Sequence, residues 1–131
     1  MSGDGAAVRE INAVTLVTTD MAGAVAFYAD LGFALNYGGP DSAFTSLYAG
    51  AGFLNLQLVD DWQPPAAVWG RVILWVDDVD AVHARAIAAG HRPSTEPADA
   101  PWGERYFHIS DPSGHELSFA QPLTSVGGAT P

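Results

Sequence analysis

Two polar pairs in the C-terminal third of the chain have a spacing that could support chemistry. Tyr106 and His108 are two residues apart, as are Glu116 and Ser118, and apolar residues alternate with both pairs. Residues two apart in a β-strand lie on the same face, so each pair is predicted to project from one face of its strand. A histidine and a glutamate that share such a face could act as a general acid–base pair.

The strands that carry these pairs are predicted to form a hairpin, closed by the sequence DPSG at residues 111–114. An aspartate side chain can accept hydrogen bonds from the backbone of the turn, proline presets φ, and glycine fits the tight final position. The hairpin therefore has one apolar face and one face with polar and aromatic side chains. We expect the second face to carry the function.

Two further strands alternate in the same way. Asn55 and Gln57 alternate with leucines, and Arg71 and Trp75 alternate with aliphatic residues. We predict an open sheet face that carries Thr15, Asn55, Gln57, Arg71, Trp75, Tyr106, His108, Glu116 and Ser118. The opposite, helix-covered face is predicted to carry Val14, Leu16, Leu54, Leu56, Val72, Leu74, Leu117 and Phe119.

An internal duplication organises these strands. The residues that recur fifty-eight positions later are Leu16, Asp20 and Gly32, which return as Leu74, Asp78 and Gly90. In each copy the aspartate stands where a helix N-cap belongs and the glycine where the helix ends. The chain is therefore predicted to contain two similar modules.

Each module is predicted to fold as β-α-β-β-β. Strands are expected at 11–19, 33–37, 43–48, 53–59 and 70–76, at a weak site near 91–95 and in the final hairpin, with helices at 21–31 and 79–89. The fold class is α+β, a curved mixed sheet with one helix packed on the outer face of each module. We expect one domain (1–131), with module 1 at about 9–60, a linker at 61–69, module 2 at about 70–122 and a flexible tail at 123–131.

Composition narrows the classes of partner. The 131 residues carry a net charge of −10 with only five basic residues, which argues against nucleic acid. No apolar run approaches the roughly 20 residues of a membrane span. No signal peptide is recognisable and cysteine is absent, so we expect a cytoplasmic protein without disulfides or thiolate chemistry.

Three stretches together resemble one family. They read VTLVTTDMAGAVAFYADLGF, RVILWVDDVDAVHARAIAAG and PWGERYFHISDPSGHELSF. The chain resembles the superfamily of glyoxalase I, bleomycin resistance proteins and extradiol dioxygenases, also called the vicinal oxygen chelate superfamily. The resemblance implies a concave sheet face as the active or binding site, and a homodimer with pockets at or near its interface.

The resemblance also implies four positions for metal ligands. In this chain they hold Ala13, Gln57, Arg71 and Ser118. Alanine has no ligand atom and a guanidinium keeps its positive charge, so this set suits no divalent ion. Of the histidines, we expect His83 on a helix, His91 at its end and His115 beside a surface turn. We therefore predict no metal and no other cofactor.

The likeness is strongest to the metal-free bleomycin resistance proteins, in residues 20–27 and 101–114. We predict binding of a small organic molecule, an antibiotic or natural product, for sequestration or resistance. The predicted ligand-binding residues are Asn55, Gln57, Arg71, Trp75, Trp102, Tyr106, His108 and Ser118.

Two enzymatic alternatives stay open. One is a metal-dependent lyase or dioxygenase of the glyoxalase type. The other is a metal-independent isomerase or biosynthetic accessory enzyme that uses His108 and Glu116 as catalytic residues. Glu116 could instead pair with Arg71, because an unpaired charge in a cavity is costly, and Arg71 could instead bind an anionic group of the ligand.

Overall fold

The fold consists of two modules that each contain four strands and one helix. The computed structural model describes residues 5–123. Module 1 comprises β1 (Ala13–Thr18), α1 (Met21–Asp30), β2 (Ala34–Tyr37), β3 (Phe44–Ala49) and β4 (Gly52–Leu58). Module 2 comprises β5 (Arg71–Trp75), α2 (Val79–Ala88), β6 (Ala98–Ala100), β7 (Glu104–Ser110) and β8 (Glu116–Pro122).

Each module forms its own mixed sheet. The strand orders are β1-β4-β3-β2 in the first sheet and β5-β8-β7-β6 in the second. The pairs β1/β4 and β5/β8 are parallel, whereas the remaining pairs are antiparallel. The predicted α+β class and the β-α-β-β-β order of each module are confirmed. β1 and β5 are therefore edge strands of their sheets.

Both helices begin and end as their sequences predict. The carboxylates of Asp20 and Asp78 accept hydrogen bonds from the backbone N–H groups of Gly23 and Ala81, at 3.0 and 3.1 Å. These N-caps satisfy N–H groups that have no partner inside the helix. Gly32 and Gly90 follow the helices with φ of 97° and 91°, which a residue without a Cβ adopts at little cost.

The helix-covered faces of both sheets contribute to one hydrophobic core. The predicted core residues of β4 and β8, among them Leu54, Leu56, Leu117 and Phe119, are almost fully buried. Val14, Val72 and Leu74 are partly buried and pack against them. The predicted helix-covered face is confirmed. A shared core implies that the modules stabilise each other, since each would otherwise expose an apolar sheet.

The sixth strand was predicted in the wrong place. Residues 91–95 form no strand, and β6 follows at Ala98–Ala100. Pro93 and Pro97 lack the N–H group that a continuous ladder requires. The intervening segment still contacts β7, because Ser94 N–H donates to the carbonyl of His108 at 2.8 Å. The side chain of Thr95 accepts from the backbone of His108 at 3.0 Å.

A cluster centred on the buried side chains of Asp111 and His115 joins the modules. We call it the junction, and its residues are Val17, Thr18, Tyr28, Trp62, Trp69, Asp111, Ser113 and His115. Asp111 is only 5% exposed, and its carboxylate accepts three hydrogen bonds. Its donors are the Tyr28 hydroxyl at 2.7 Å and the N–H groups of Ser113 and His115 at 3.0 and 2.9 Å. The turn of module 2 is thus anchored to α1 of module 1.

His115 forms the second half of the junction. Its Nδ1 accepts from Trp69 Nε1–H at 3.1 Å, which leaves Nε2–H to donate to the carbonyl of Val17 at 2.8 Å. Trp62 stacks on the imidazole with ring centroids 5.1 Å apart. His115 lies beside a surface turn, as predicted, since Pro112 and Gly114 are exposed, but His115 itself is only 5% exposed. Its ring is covered by Trp62 and Trp69 of the linker and by the backbone of Val17 in β1.

Parts of the predicted organisation stay predictions. Residues 1–4, and residues 124–131 of the predicted flexible tail, lie outside the described residues. The proposed module and linker boundaries are likewise predictions. Within residues 5–123, neither helix has the length and apolar character to cross a membrane.

Candidate ligand-binding face

The predicted ligand-binding residues divide between the two sheets. Asn55 and Gln57 lie on β4 in the first sheet, whereas the other six lie in module 2. Within residues 5–123, no strand pairing joins the two sheets. The eight residues therefore lie on two sheets that hydrogen bonds between strands do not join, and a single site that includes all of them stays a prediction. Alternation along a strand predicts which face a residue takes, but it does not predict how two faces are arranged.

The open face of the second sheet carries a row of ring side chains. Trp102 and Tyr106 are nearly parallel, with centroids 6.1 Å apart and an interplanar angle of 21°. Tyr106 and His108 follow at 5.1 Å and 47°. Trp75, on the same face of β5, is 58% exposed. We call Trp102, Tyr106 and His108 the ring row; it offers flat apolar surface to a planar ligand.

An ion pair lies beside the ring row. Arg71 and Glu116 are register partners at the first residues of β5 and β8. Arg71 Nε donates to Glu116 Oε2 at 2.8 Å, and a second guanidinium nitrogen donates to the same oxygen. Glu116 is the more buried partner, so Arg71 compensates the cost of placing its carboxylate there. This pairing opposes a role for Arg71 as an open anion anchor.

His108 lies next to this ion pair. Its Nδ1 is buried without a hydrogen-bond partner among the described residues, 4.0 Å from Glu116 Oε2. Partial burial lowers the pKa of His108, the charge of Arg71 lowers it further, and Glu116 partly opposes the shift. The imidazole is therefore neutral at pH 7, and it can accept a proton or a hydrogen bond.

The lowered pKa of His108 predicts a pH dependence of stability. Protonation is less favourable in the folded chain, so the unfolded chain binds more protons and this contribution is lost as pH falls below about 6.5. The free energy of unfolding of the wild type, minus that of His108→Gln, should fall between pH 8 and pH 5. One proton allows a slope of at most about 1.4 kcal/mol per pH unit.

Urea denaturation at half-unit pH steps measures this difference. Arg71→Gln should reduce the fall, because the positive charge that opposes protonation of His108 is then gone. A difference between wild type and His108→Gln that stays constant across this pH range would contradict the assignment.

Ser118 does not present its side chain to a ligand. It has the predicted register, between Ile73 and His108, but it is only 4% exposed. The neighbouring strands carry larger side chains on both sides of it. Ser118 is therefore corrected from a ligand contact to a covered residue within the open face.

The four positions that would hold a metal do not fit one. Ala13 has no donor, Arg71 is engaged with Glu116, and Ser118 is covered. Residues 5–123 contain no cluster of three or more histidine or carboxylate side chains that could hold an ion. A guanidinium at one of these positions would repel a divalent cation.

The open face of the first sheet is also rich in aromatic surface. Tyr37, Phe44 and Tyr48 are exposed and share this face with Asn55 and Gln57. The Asn55 amide donates to Thr15 Oγ1 at 3.4 Å, a weak bond that leaves the amide adaptable. Exposed rings clustered on one face are typical of an interaction surface.

A cavity of about 470 Å³ lies apart from the ring row, between the edge strands β1 and β5. Of the eight predicted ligand-binding residues, only Trp75 lines it. Sequence reasoning missed this cavity because its walls are short apolar segments from both modules. The alternation of polar and apolar residues indicates the faces of a strand, and it did not indicate this cavity.

Comparison with known proteins agrees with this architecture. The family model described as Glyoxalase/Bleomycin resistance protein/Dioxygenase superfamily matches residues 10–119. An uncharacterized protein of Mycobacterium tuberculosis is 33% identical over 125 residues, which cover 85% of this chain and 74% of that protein.

Solved structures share the fold. A glyoxalase/bleomycin resistance protein/dioxygenase from Nocardioides is similar with a TM-score of 0.73 and 22% identity, covering 98% of this chain and 93% of that one. A bleomycin-binding protein complexed with bleomycin is similar with a TM-score of 0.67 and 22% identity, covering 87% and 98%. The family match spans most of the residues that build both modules. The chain belongs to the glyoxalase/bleomycin resistance protein/dioxygenase superfamily.

Proposed function

We propose that this protein sequesters a small planar organic molecule, an antibiotic or natural product, on the open face of its second sheet. The observation that carries the proposal is the ring row of Trp102, Tyr106 and His108. Stacked rings with an exposed face bind flat heteroaromatic groups through dispersion and burial of apolar area. A similar structure contains bleomycin, which supports binding of this general kind.

The charges on and around this face favour a neutral or cationic ligand. Arg71 and Glu116 compensate each other, so the face gains no net positive charge from them. The chain as a whole carries a net charge of −10, which attracts cations in solution. A cationic group over an exposed ring gains a further cation–π attraction.

We further propose that two copies of the chain assemble so that each ligand is enclosed. Both open faces expose large rings, Tyr37 and Phe44 on the first sheet and Trp75 and Trp102 on the second. A single open sheet buries only one side of a planar ligand, whereas ligand sites usually bury most of its surface. The facing sheet of a second copy would supply the other wall. A cytoplasmic location stays a prediction.

Tryptophan fluorescence tests the binding proposal. The wild type is titrated with bleomycin and with a planar anthracycline, and we expect saturable quenching by at least one of them. Tyr106→Ala removes the central ring of the row. It should weaken the dissociation constant about tenfold, the equivalent of roughly 1.4 kcal/mol of stacking.

Ile87→Ala is the matched control, because Ile87 is an exposed apolar residue on α2. It should leave binding unchanged. Sedimentation with and without the drug reports whether two copies enclose the ligand. Absence of saturable quenching by either drug, or equal weakening by Tyr106→Ala and Ile87→Ala, would refute the proposal.

A metal-independent isomerase is a second candidate, and His108 favours it. This imidazole is neutral at pH 7 and its Nδ1 is unpartnered among the described residues, as a general base requires. Against it, Glu116 is held by Arg71 and lies 4.0 Å away, which is too far for a hydrogen bond that would orient the ring. Turnover that collapses in His108→Ala while drug binding survives would favour the enzyme.

A further inference from the structure

The cavity between β1 and β5 has no part in the functions proposed above. Both strands are edge strands, and both line it, together with the end of α1 and the β3–β4 hairpin. At about 470 Å³ it is within the size range of small-molecule sites. Its lining is largely aliphatic and aromatic, with Tyr48 and Trp75 among the rings and Asn12 among the few polar side chains.

The hydrogen bonds of β1 show which of its backbone groups face outward. The carbonyls of Asn12 and Thr18 accept from Phe53 and Val59, each at 2.9 Å, so even-numbered residues turn toward β4. The backbone groups of Ala13 and Val17 therefore turn to the unpaired edge. His115 Nε2 donates to Val17 O at one end of this edge, whereas Ala13, at the other end, lines the cavity.

The same reasoning applies to β5. The N–H of Val76 donates to the carbonyl of Ala120 at 2.8 Å, so even-numbered residues turn toward β8. Ile73 and Trp75 turn their backbone groups to the unpaired edge, and both line the cavity. The edge of β5 at these two residues has no lysine, proline or bulge of the kind that usually protects an edge strand.

The apolar side chains and unpaired backbone groups that line the cavity determine which kind of ligand fits it. A purely apolar molecule would bury strand-edge N–H and C=O groups without partners, which opposes its binding. A molecule with amides along an extended backbone would satisfy them and fill the apolar space with its side chains. We propose that this cavity binds a short, extended peptide-like molecule with apolar side chains, paired to the edges at Ala13, Ile73 and Trp75.

The test uses the capped tripeptide N-acetyl-Val-Phe-Val-amide and a matched peptide in which the three residue nitrogens are methylated. Amide NMR spectra of the full chain are recorded during titration. The unmodified peptide should move the N–H resonances of Ile73 and Trp75 downfield with saturation. The methylated peptide should bind at least about tenfold more weakly, because its three residue nitrogens can no longer donate to the edge carbonyls.

Variants that fill the cavity complete the test. Ala49→Phe and Ala13→Phe each place a ring where the cavity lies and should abolish binding of the tripeptide. Ala22→Phe, on the exposed face of α1, is the matched control and should leave it unchanged. The comparison of the two peptides needs no variant, so the proposal stays testable if a variant fails to fold.

Three results would overturn the proposal: no saturable shift, equal affinity for both peptides, or shifts of Ile73 and Trp75 that follow protein concentration without peptide. The last would show that a second copy covers the cavity. Drug binding at the ring row is a separate measurement. Failure of one proposal is therefore distinguishable from failure of the other.

Discussion

Replacing Asp111 with alanine is expected to lower the free energy of unfolding by about 4 kcal/mol, the largest effect we predict for a single polar residue. The carboxylate is buried and accepts from Tyr28, Ser113 and His115. Alanine would leave three donors without this partner, two of them on the buried residues Tyr28 and His115. Hydrogen bonds to a charged group contribute roughly 1.5–3 kcal/mol each, and the three losses are not independent.

The Tyr28 hydroxyl stays protonated at neutral pH. Burial raises the pKa of Tyr28 well above its ordinary value, and the nearby Asp111 carboxylate raises it further. The hydroxyl is therefore a permanent donor to Asp111. Tyr28→Phe removes this one bond and should cost less, about 1–2 kcal/mol.

Urea denaturation at pH 7 measures both changes. Asp60→Ala is the matched control, because Asp60 is exposed and makes no side-chain hydrogen bond or ion pair within the described residues; it should stay within about 0.5 kcal/mol of wild type. A loss of less than 1 kcal/mol in Asp111→Ala would show that the junction does not hold the modules together.

The helix caps, the buried strand faces and the turn could be predicted, because each depends on residues that are close together in the sequence. Asp20 and Asp78 cap their helices because the capping bond spans three residues, and the sequence shows both partners. Alternation along β4 and β8 identified the buried leucines, because it too depends only on residues that are near one another in the sequence. The short-range bond from Asp111 to the backbone of its turn was likewise expected from the DPSG sequence.

The junction could not be predicted in this way. Asp111 lies 83 positions from Tyr28, and His115 lies 98 positions from Val17. A turn sequence predicts the local bond and contains no information about what covers the turn. The burial of His115 and the cavity went unpredicted for this common reason, because both depend on how one module is placed against the other.

The junction also positions the candidate binding face. His115 precedes Glu116, and Trp69 lies two residues before Arg71, so both members of the ion pair adjoin junction residues in sequence. β5 and β8 begin at this pair. An altered junction should therefore shift Arg71 and Glu116, and with them the surroundings of His108.

His115→Ala is accordingly expected to reduce both stability and drug binding. We expect a loss of about 3 kcal/mol in the free energy of unfolding, because the variant removes the donor to Val17 O, the acceptor for Trp69 and the ring that stacks on Trp62. Trp69→Phe, which removes only the bond from a half-exposed indole, should cost less than about 1 kcal/mol.

Limited proteolysis separates a loosened linker from general instability. The measurement is made at a urea concentration at which both proteins are folded. The segment between β4 and β5 should be cleaved faster in His115→Ala than in wild type, because Trp62 and Trp69 lose their shared partner. His91→Ala is the matched control, since His91 also contacts α1, through Asp30 and the ring of Phe27, but lies outside the junction. It should leave the cleavage pattern unchanged. If His115→Ala unfolds at the wild-type urea midpoint and resists cleavage equally, the linker is held by other contacts, and the open face does not depend on the junction.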